Sequence, residues 1–127
     1  MKIEHIAMYV RNLEASRDFY VKWFGACAND GYHNPRTGLR TYFLTFEDGA
    51  RLELMNRPGL SDGSAAGSCF GLAHIAFCLG SEQRVDSLTE ELKKAGYTVV
   101  SGPRRTGDGY YESCICDNDG NLVELTA

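Results

Sequence analysis

The chain has 127 residues, 43% apolar and 24% charged, with a formal net charge of −4. That length suits one domain with a core of its own. The negative balance argues against a general nucleic-acid binder, which is ordinarily basic, and no apolar run reaches the length of a membrane span.

The first predicted element is a strand over residues 3–10. It begins almost at once and no secretory apolar region precedes it, so a cytoplasmic protein is expected. Asn12 is placed to cap a helix over residues 13–24, whose apolar positions Leu13, Phe19, Tyr20, Trp23 and Phe24 form a stripe. Gly25 follows as its left-handed end. A short strand over 26–29 leads into a polar loop, 30–38, that contains His33, Pro35 and Arg36. A strand rich in Thr, Tyr and Phe covers 39–46, Asp48-Gly49 marks a hairpin turn, and a further strand covers 50–55.

Residues 57–70 are rich in Gly, Ser and Ala and lack periodicity, which predicts a linker between a first repeat, 1–56, and a second, 71–127. The second half runs in the same order. A strand covers 71–79, and Ser81 caps a helix over 82–95 with Val85, Leu88 and Leu92 on its apolar stripe. A strand then covers 97–101, followed by a loop over 102–109 carrying Arg104 and Arg105. Strands over 110–116 and 121–126 flank a turn at 117–120. The expected fold is α+β, a single domain of two β-α-β-β-β repeats whose sheets curl around a cleft.

The repeat is also written in the residues. Asp48-Gly49-Ala50-Arg51-Leu52-Glu53-Leu54 reappears as Asp119-Gly120-Asn121-Leu122-Val123-Glu124-Leu125. His5-Ile6-Ala7 reappears as His74-Ile75-Ala76. Strand alternation puts Ile6, Met8 and Val10 on a helix-packing face and His5, Ala7 and Tyr9 on the other. In the same way Ile75, Phe77 and Leu79 oppose His74, Ala76 and Cys78, Leu52 and Leu54 oppose Arg51, Glu53 and Met55, and Val123 and Leu125 oppose Leu122, Glu124 and Thr126. His5, Glu53, His74 and Glu124 therefore all fall away from the helix side.

Two imidazoles and two carboxylates form a suitable ligand set for a divalent metal such as zinc, nickel, cobalt or ferrous iron, with manganese and magnesium admitted by the carboxylates. Such an ion can polarise a carbonyl and stabilise an enediolate, and a carboxylate beside it can act as base toward a carbon acid. The five cysteines are an odd set without framework spacing, as expected of reduced thiols. Cys114 and Cys116 lack the spacing of a zinc knuckle and read as packing residues.

These phrases, with Ser16-Arg17-Asp18-Phe19-Tyr20 through Phe24-Gly25 and Leu72-Ala73-His74-Ile75-Ala76-Phe77, resemble the vicinal oxygen chelate superfamily over essentially the whole chain. This is the glyoxalase, bleomycin-resistance and dioxygenase group, and the resemblance is nearest to short bacterial glyoxalase I (lactoylglutathione lyase)-like proteins. It implies metal binding by His5, Glu53, His74 and Glu124, with nickel, cobalt or zinc foremost and iron or manganese as further candidates. It implies isomerisation of a thiol–aldehyde adduct through an enediolate, with Glu124 as base and Glu53 as its counterpart. It also implies a homodimer with a shared site and a small-molecule substrate.

Glutathione-using members carry Arg where this chain has Tyr9, so the resemblance does not carry glutathione over to this chain and leaves the thiol open. Tyr9, Asn56, Arg104 and Arg105 are candidate substrate contacts, and His33 reads as a surface residue. Three other functions fit the same superfamily. A methylmalonyl-CoA epimerase-like enzyme ordinarily has Gln in place of Glu53. An extradiol-type dioxygenase would use only three of the ligands, with iron. A non-enzymatic bleomycin-resistance-type binding protein would use an aromatic cleft, for which Tyr9, Tyr42, Phe43, Tyr110 and Tyr111 are available.

Overall fold

The computed structural model describes residues 3–61, 72–107 and 109–127. The chain divides into two compact units, Met1–Asp62 and Gly63–Ala127. Most of the linker expected over 57–70, and the first residue of the strand expected from residue 71, lie outside the described residues.

In the first unit β1 (His5–Tyr9) leads to α1 (Leu13–Phe24). Asn12 adopts an extended backbone and its side chain accepts from the Ala15 N–H, satisfying one of the helix's open donors. Gly25 ends the helix at φ 65°, a left-handed conformation that costs glycine no Cβ clash. Short strands β2 (Cys27–Ala28) and β3 (Tyr32–His33) precede β4 (Arg40–Thr45) and β5 (Arg51–Asn56). The sheet order is β1-β5-β4-β2, with β3 also paired to β4.

β1 and β5 run parallel, because the chain crosses over through α1 before returning. α1 buries Leu13, Ser16, Phe19 and Tyr20 and lies against β4 and β5. Leu44, Leu52 and Leu54 meet it from the sheet and are almost fully buried. The rings of Phe19, Tyr20 and Phe24 cluster beside them, with centroids 5.0–5.7 Å apart.

The second unit repeats the plan. β6 (His74–Cys78) leads to α2 (Glu82–Lys94), followed by β7 (Val99–Arg105), β8 (Tyr111–Cys116) and β9 (Leu122–Thr126). The order is β6-β9-β8-β7, and β6 and β9 again run parallel. Ser81 caps α2 by accepting from the Arg84 N–H. The helix buries Val85, Thr89 and Leu92 against Ile115, Val123 and Leu125. Thr89, which no apolar pattern marks, donates to the Val85 carbonyl and shares a 2.6 Å hydrogen bond with Ser113. The helix therefore meets the sheet through a satisfied hydroxyl pair. Among the described residues, no helix is long and apolar enough to cross a membrane.

Two segments expected as loops contain strand. The polar stretch 30–38 includes β3, whose Tyr32 and His33 pair with Thr41 and Arg40. The expected loop 102–109 is partly strand, because β7 continues through Gly102-Pro103 to Arg105. Its ladder with β8 shifts register twice on the way. Gly102 permits this at φ 81°, where an added Cβ would stand 2.5 Å from the Glu112 carbonyl oxygen. Arg104 and Arg105 are therefore strand residues.

Candidate metal and catalytic site

Each unit brings one histidine to one glutamate by the same cross-strand register. In the first, Ala7 is the partner of Glu53 and His5 the partner of Arg51. In the second, Ala76 is the partner of Glu124 and His74 the partner of Leu122. The histidine therefore stands diagonal to the glutamate on one sheet face, across a small alanine. His5 Nε2 lies 3.8 Å from Glu53 Oε2, and His74 Nε2 lies 3.6 Å from Glu124 Oε2.

These separations exceed a hydrogen bond. They fall within the roughly 3–4 Å that separates two ligands of one ion at zinc-like bond lengths. The glutamates are the more enclosed members, with side chains 15% and 18% exposed, while both histidines are open to solvent. Among the described residues no group of three or more His, Cys, Asp or Glu side chains gathers as a metal cluster. The donor chemistry of each pair, an imidazole nitrogen beside a carboxylate oxygen, suits a borderline divalent ion.

The surroundings of the two pairs differ. The His5 ring meets Phe43 edge-on at 5.4 Å, and Phe43 is the strand partner of Glu53. His5 Nδ1 bonds to the Glu4 carboxylate. Arg51 Nε donates to Glu4 Oε1 at 2.7 Å, its guanidinium also pairs with that carboxylate, and it covers the Phe43 ring at 4.2 Å. The hydrogen bond with His5, and after it the Arg51 guanidinium, hold the Glu4 carboxyl below the usual carboxylate range. Beside Glu124 the strand partner is Cys114. Burial, then the charges of Cys116, Glu124 and Glu112, push the Cys114 thiol up.

The remaining sequence candidates separate by face. Tyr9 continues the His5–Ala7 face, is 48% exposed, and accepts from Arg57 Nε at 3.3 Å. Arg104 is the strand partner of Glu112, pairs with its carboxylate at 3.3 Å, and belongs to the Glu124 face. Arg105 lies on the opposite face, where it pairs with Glu82 of α2, donates to the Gly109 carbonyl and covers the Tyr111 ring. Asn56 shares the strand face of Leu52 and Leu54, opposite Glu53, and its Nδ2 donates to the carbonyls of Val10 and Arg11 at 2.6 and 3.3 Å. That amide ties the end of β5 to the β1–α1 junction. His33 is an exposed residue of β3.

A sequence profile of the glyoxalase/bleomycin resistance protein/dioxygenase superfamily matches residues 2–125. The chain belongs to this superfamily. It is 31% identical to the uncharacterized protein YqjT of Bacillus subtilis (strain 168), with 98% of each chain covered. Its fold is similar to that of SMU.1112c, with a TM-score of 0.80 and 24% identity over 100% of this chain and 98% of that one. It is similar to glyoxalase I from Zea mays, at TM-score 0.79 and 24% identity, over 98% of this chain and 44% of the maize chain. The trypanothione-dependent glyoxalase I of Leishmania major also aligns, at TM-score 0.78 and 20% identity over 99% of this chain and 86% of that one. Members of the superfamily typically bind divalent metals.

Proposed function

We propose that this protein is a metal-dependent lyase or isomerase of the glyoxalase I kind, acting on a thiol–aldehyde adduct. The observation that carries the reading is the twofold recurrence of a His Nε2 beside a Glu Oε2, at 3.8 and 3.6 Å, in matching registers of two units. A solvated strand glutamate has no physical reason to recur opposite an alanine and diagonal to a histidine. A ligand set does.

His5, Glu53, His74 and Glu124 are the residues that would hold the ion. Nickel, cobalt or zinc suits them first, and iron or manganese next. When bound, such an ion supplies Lewis-acid stabilisation to substrate oxygens that gain charge. Glu124 acts as the base. It takes the proton from the carbon that bears sulfur and returns it to the neighbouring carbon, with Glu53 as its counterpart. The proton returns to the same molecule, so a hemithioacetal becomes an α-hydroxy thioester without gain or loss of atoms. Tyr9 and Arg104, each on the face of its unit's His–Glu pair, are the substrate contacts we assign to this reading. The active form is proposed as a homodimer, each site drawing His5 and Glu53 from one protomer and the partner's His74 and the partner's Glu124.

Elemental analysis of chelator-free protein tests the ligand set, with Glu124→Gln prepared in parallel. About one bound ion per site is expected, weakened in the variant. Formation of an S-lactoyl thioester from methylglyoxal and a panel of thiols is expected to fall by about 10²–10⁴-fold in Glu124→Gln. A wild-type protein that takes up none of nickel, cobalt, zinc, iron or manganese overturns the reading. Ferrous-dependent ring opening of a catechol, without thioester formation, also overturns it.

A further inference from the structure

The two histidines are not held alike. His5 Nδ1 faces the Glu4 carboxylate, Glu4 is gripped by Arg51, and the His5 ring edge meets Phe43 under the same guanidinium. The Arg51 backbone N–H also donates to the Glu4 carbonyl at 2.9 Å, which fixes Glu4 from the main chain as well. At the matching places around His74 stand Ala73, Leu122 and Cys114. Among the described residues, no hydrogen-bond partner reaches His74 Nδ1.

We propose that Glu4, anchored by Arg51, is a positioning residue that fixes His5 with its proton on Nδ1 and its Nε2 lone pair bare toward Glu53, so that the first unit is a preset half-site and the second is not. A neutral imidazole carries one proton, and the partner of one ring nitrogen decides which nitrogen is left to act as a ligand. A carboxylate behind a ligating histidine also fixes its ring plane. Arg51 and Phe43 keep Glu4 and the ring from turning away. Among the described residues His74 Nδ1 has no such acceptor, so nothing there holds its proton on that nitrogen. The inference rests on the metal reading for its purpose, but its structural content belongs to the metal-free protein.

The test uses ¹⁵N-labelled, metal-free full-length protein at mildly alkaline pH, where imidazoles are neutral. Long-range ¹H–¹⁵N spectra report the tautomer of each of the three histidines. Wild-type His5 is expected as the Nδ1–H form and His74 as an exchanging mixture. In Glu4→Ala, and more weakly in Arg51→Leu, His5 is expected to join the mixture while His74 stays unchanged. The double change Ala73→Glu with Leu122→Arg is expected to convert His74 to the Nδ1–H form. Zinc titration of the same samples is expected to show affinity about 10–100-fold weaker in Glu4→Ala.

A wild-type His5 protonated on Nε2, or a His5 tautomer that ignores the loss of Glu4, overturns the proposal. If wild type binds no zinc while the tautomers follow Glu4, the positioning stands and the metal reading falls. If zinc binds equally in wild type and Glu4→Ala, the positioning has no role in the site.

Discussion

The two units solve one packing problem with different chemistry. Both have a parallel pairing of first and last strands, a capped helix on one face and a His–Glu diagonal on the other. The first fills the space under its helix with aromatic rings, Phe19, Tyr20 and Phe24, and braces Arg17 across the Tyr42 ring at 4.9 Å. The second uses aliphatic Val85, Leu92 and Ile115, and at the strand position matching Tyr42 it places Ser113 against Thr89. The helix side tolerates wholesale change because any well-packed filling buries comparable apolar area. The open faces differ too, Phe43 and Arg51 against Cys114 and Leu122, yet His and Glu stay. That persistence beside changed neighbours is what the proposed metal site rests on.

The strongest break of this comparison is in the shared core. Leu54 and Leu125 are fully buried and sit at matching places, each directly after a strand glutamate by one residue. Leu54→Ala and Leu125→Ala are each expected to cost about 2–5 kcal/mol, lost transfer energy plus a residual cavity. Chemical denaturation measures it. Near-equal losses support two equivalent cores, whereas a large loss in one alone would show that one unit carries the fold.

A smaller, asymmetric effect is expected at the turns that feed the two glutamate strands. Asp117 is 6% exposed, and its carboxylate accepts from the backbone N–H groups of Asp119 and Asn121 and from Asn121 Nδ2, each at 2.9 Å. Asp48 is exposed and accepts from the Gly49 N–H at 2.7 Å. Asp117→Ala is expected to cost about 1–2 kcal/mol, because it leaves three part-buried donors without their acceptor, and Asp48→Ala about 0.5 kcal/mol or less. Denaturation midpoints of the two variants distinguish them. Equal values would mean that the second turn is no more built than the first.

Local chemistry made much of this legible in the sequence. Asn12, Gly25 and Ser81 mark helix ends because capping is decided by a few neighbouring atoms. Strand alternation placed His5, Glu53, His74 and Glu124 correctly away from each helix because a strand's side-chain period is fixed. What escaped depends on partners distant in sequence. β3 exists because β4 offers it a ladder, and β7 runs through Gly102-Pro103 because β8 accepts a shifted register. Thr89 looks polar until Ser113 meets it. Asn56 looked available until the carbonyls of Val10 and Arg11 took its amide. The Glu4–Arg51 brace did leave a trace, Glu beside the first histidine where Ala73 stands beside the second. A trace of that kind gains meaning only when β1 and β5 pair.

The smallest expected effect sharpens the contrast between the open faces. Cys27 in the first unit and Cys78 in the second are exposed, while Cys114 and Cys116 are half-buried. Burial is the leading cause that raises both of the latter thiols, followed for Cys116 by the Asp117 charge. A raised thiol pKa leaves less thiolate at a given pH, and thiolate is the reactive form. Alkylation at about pH 8, just below the ordinary thiol value, is therefore expected to modify Cys27 and Cys78 before Cys114 and Cys116. Cys114 and Cys116 are expected to speed up more than the exposed pair on going to higher pH. Because the Glu124 charge also raises the Cys114 thiol, Glu124→Gln is expected to quicken Cys114 slightly in metal-free protein and to leave Cys27 alone. Peptide mapping after timed alkylation measures all four. A Cys114 that reacts as fast as Cys27 would show the Glu124 face to be as open to solvent as the first unit's edge strand, and the enclosure that the proposed role of Glu124 as base calls for would then have to come from bound substrate.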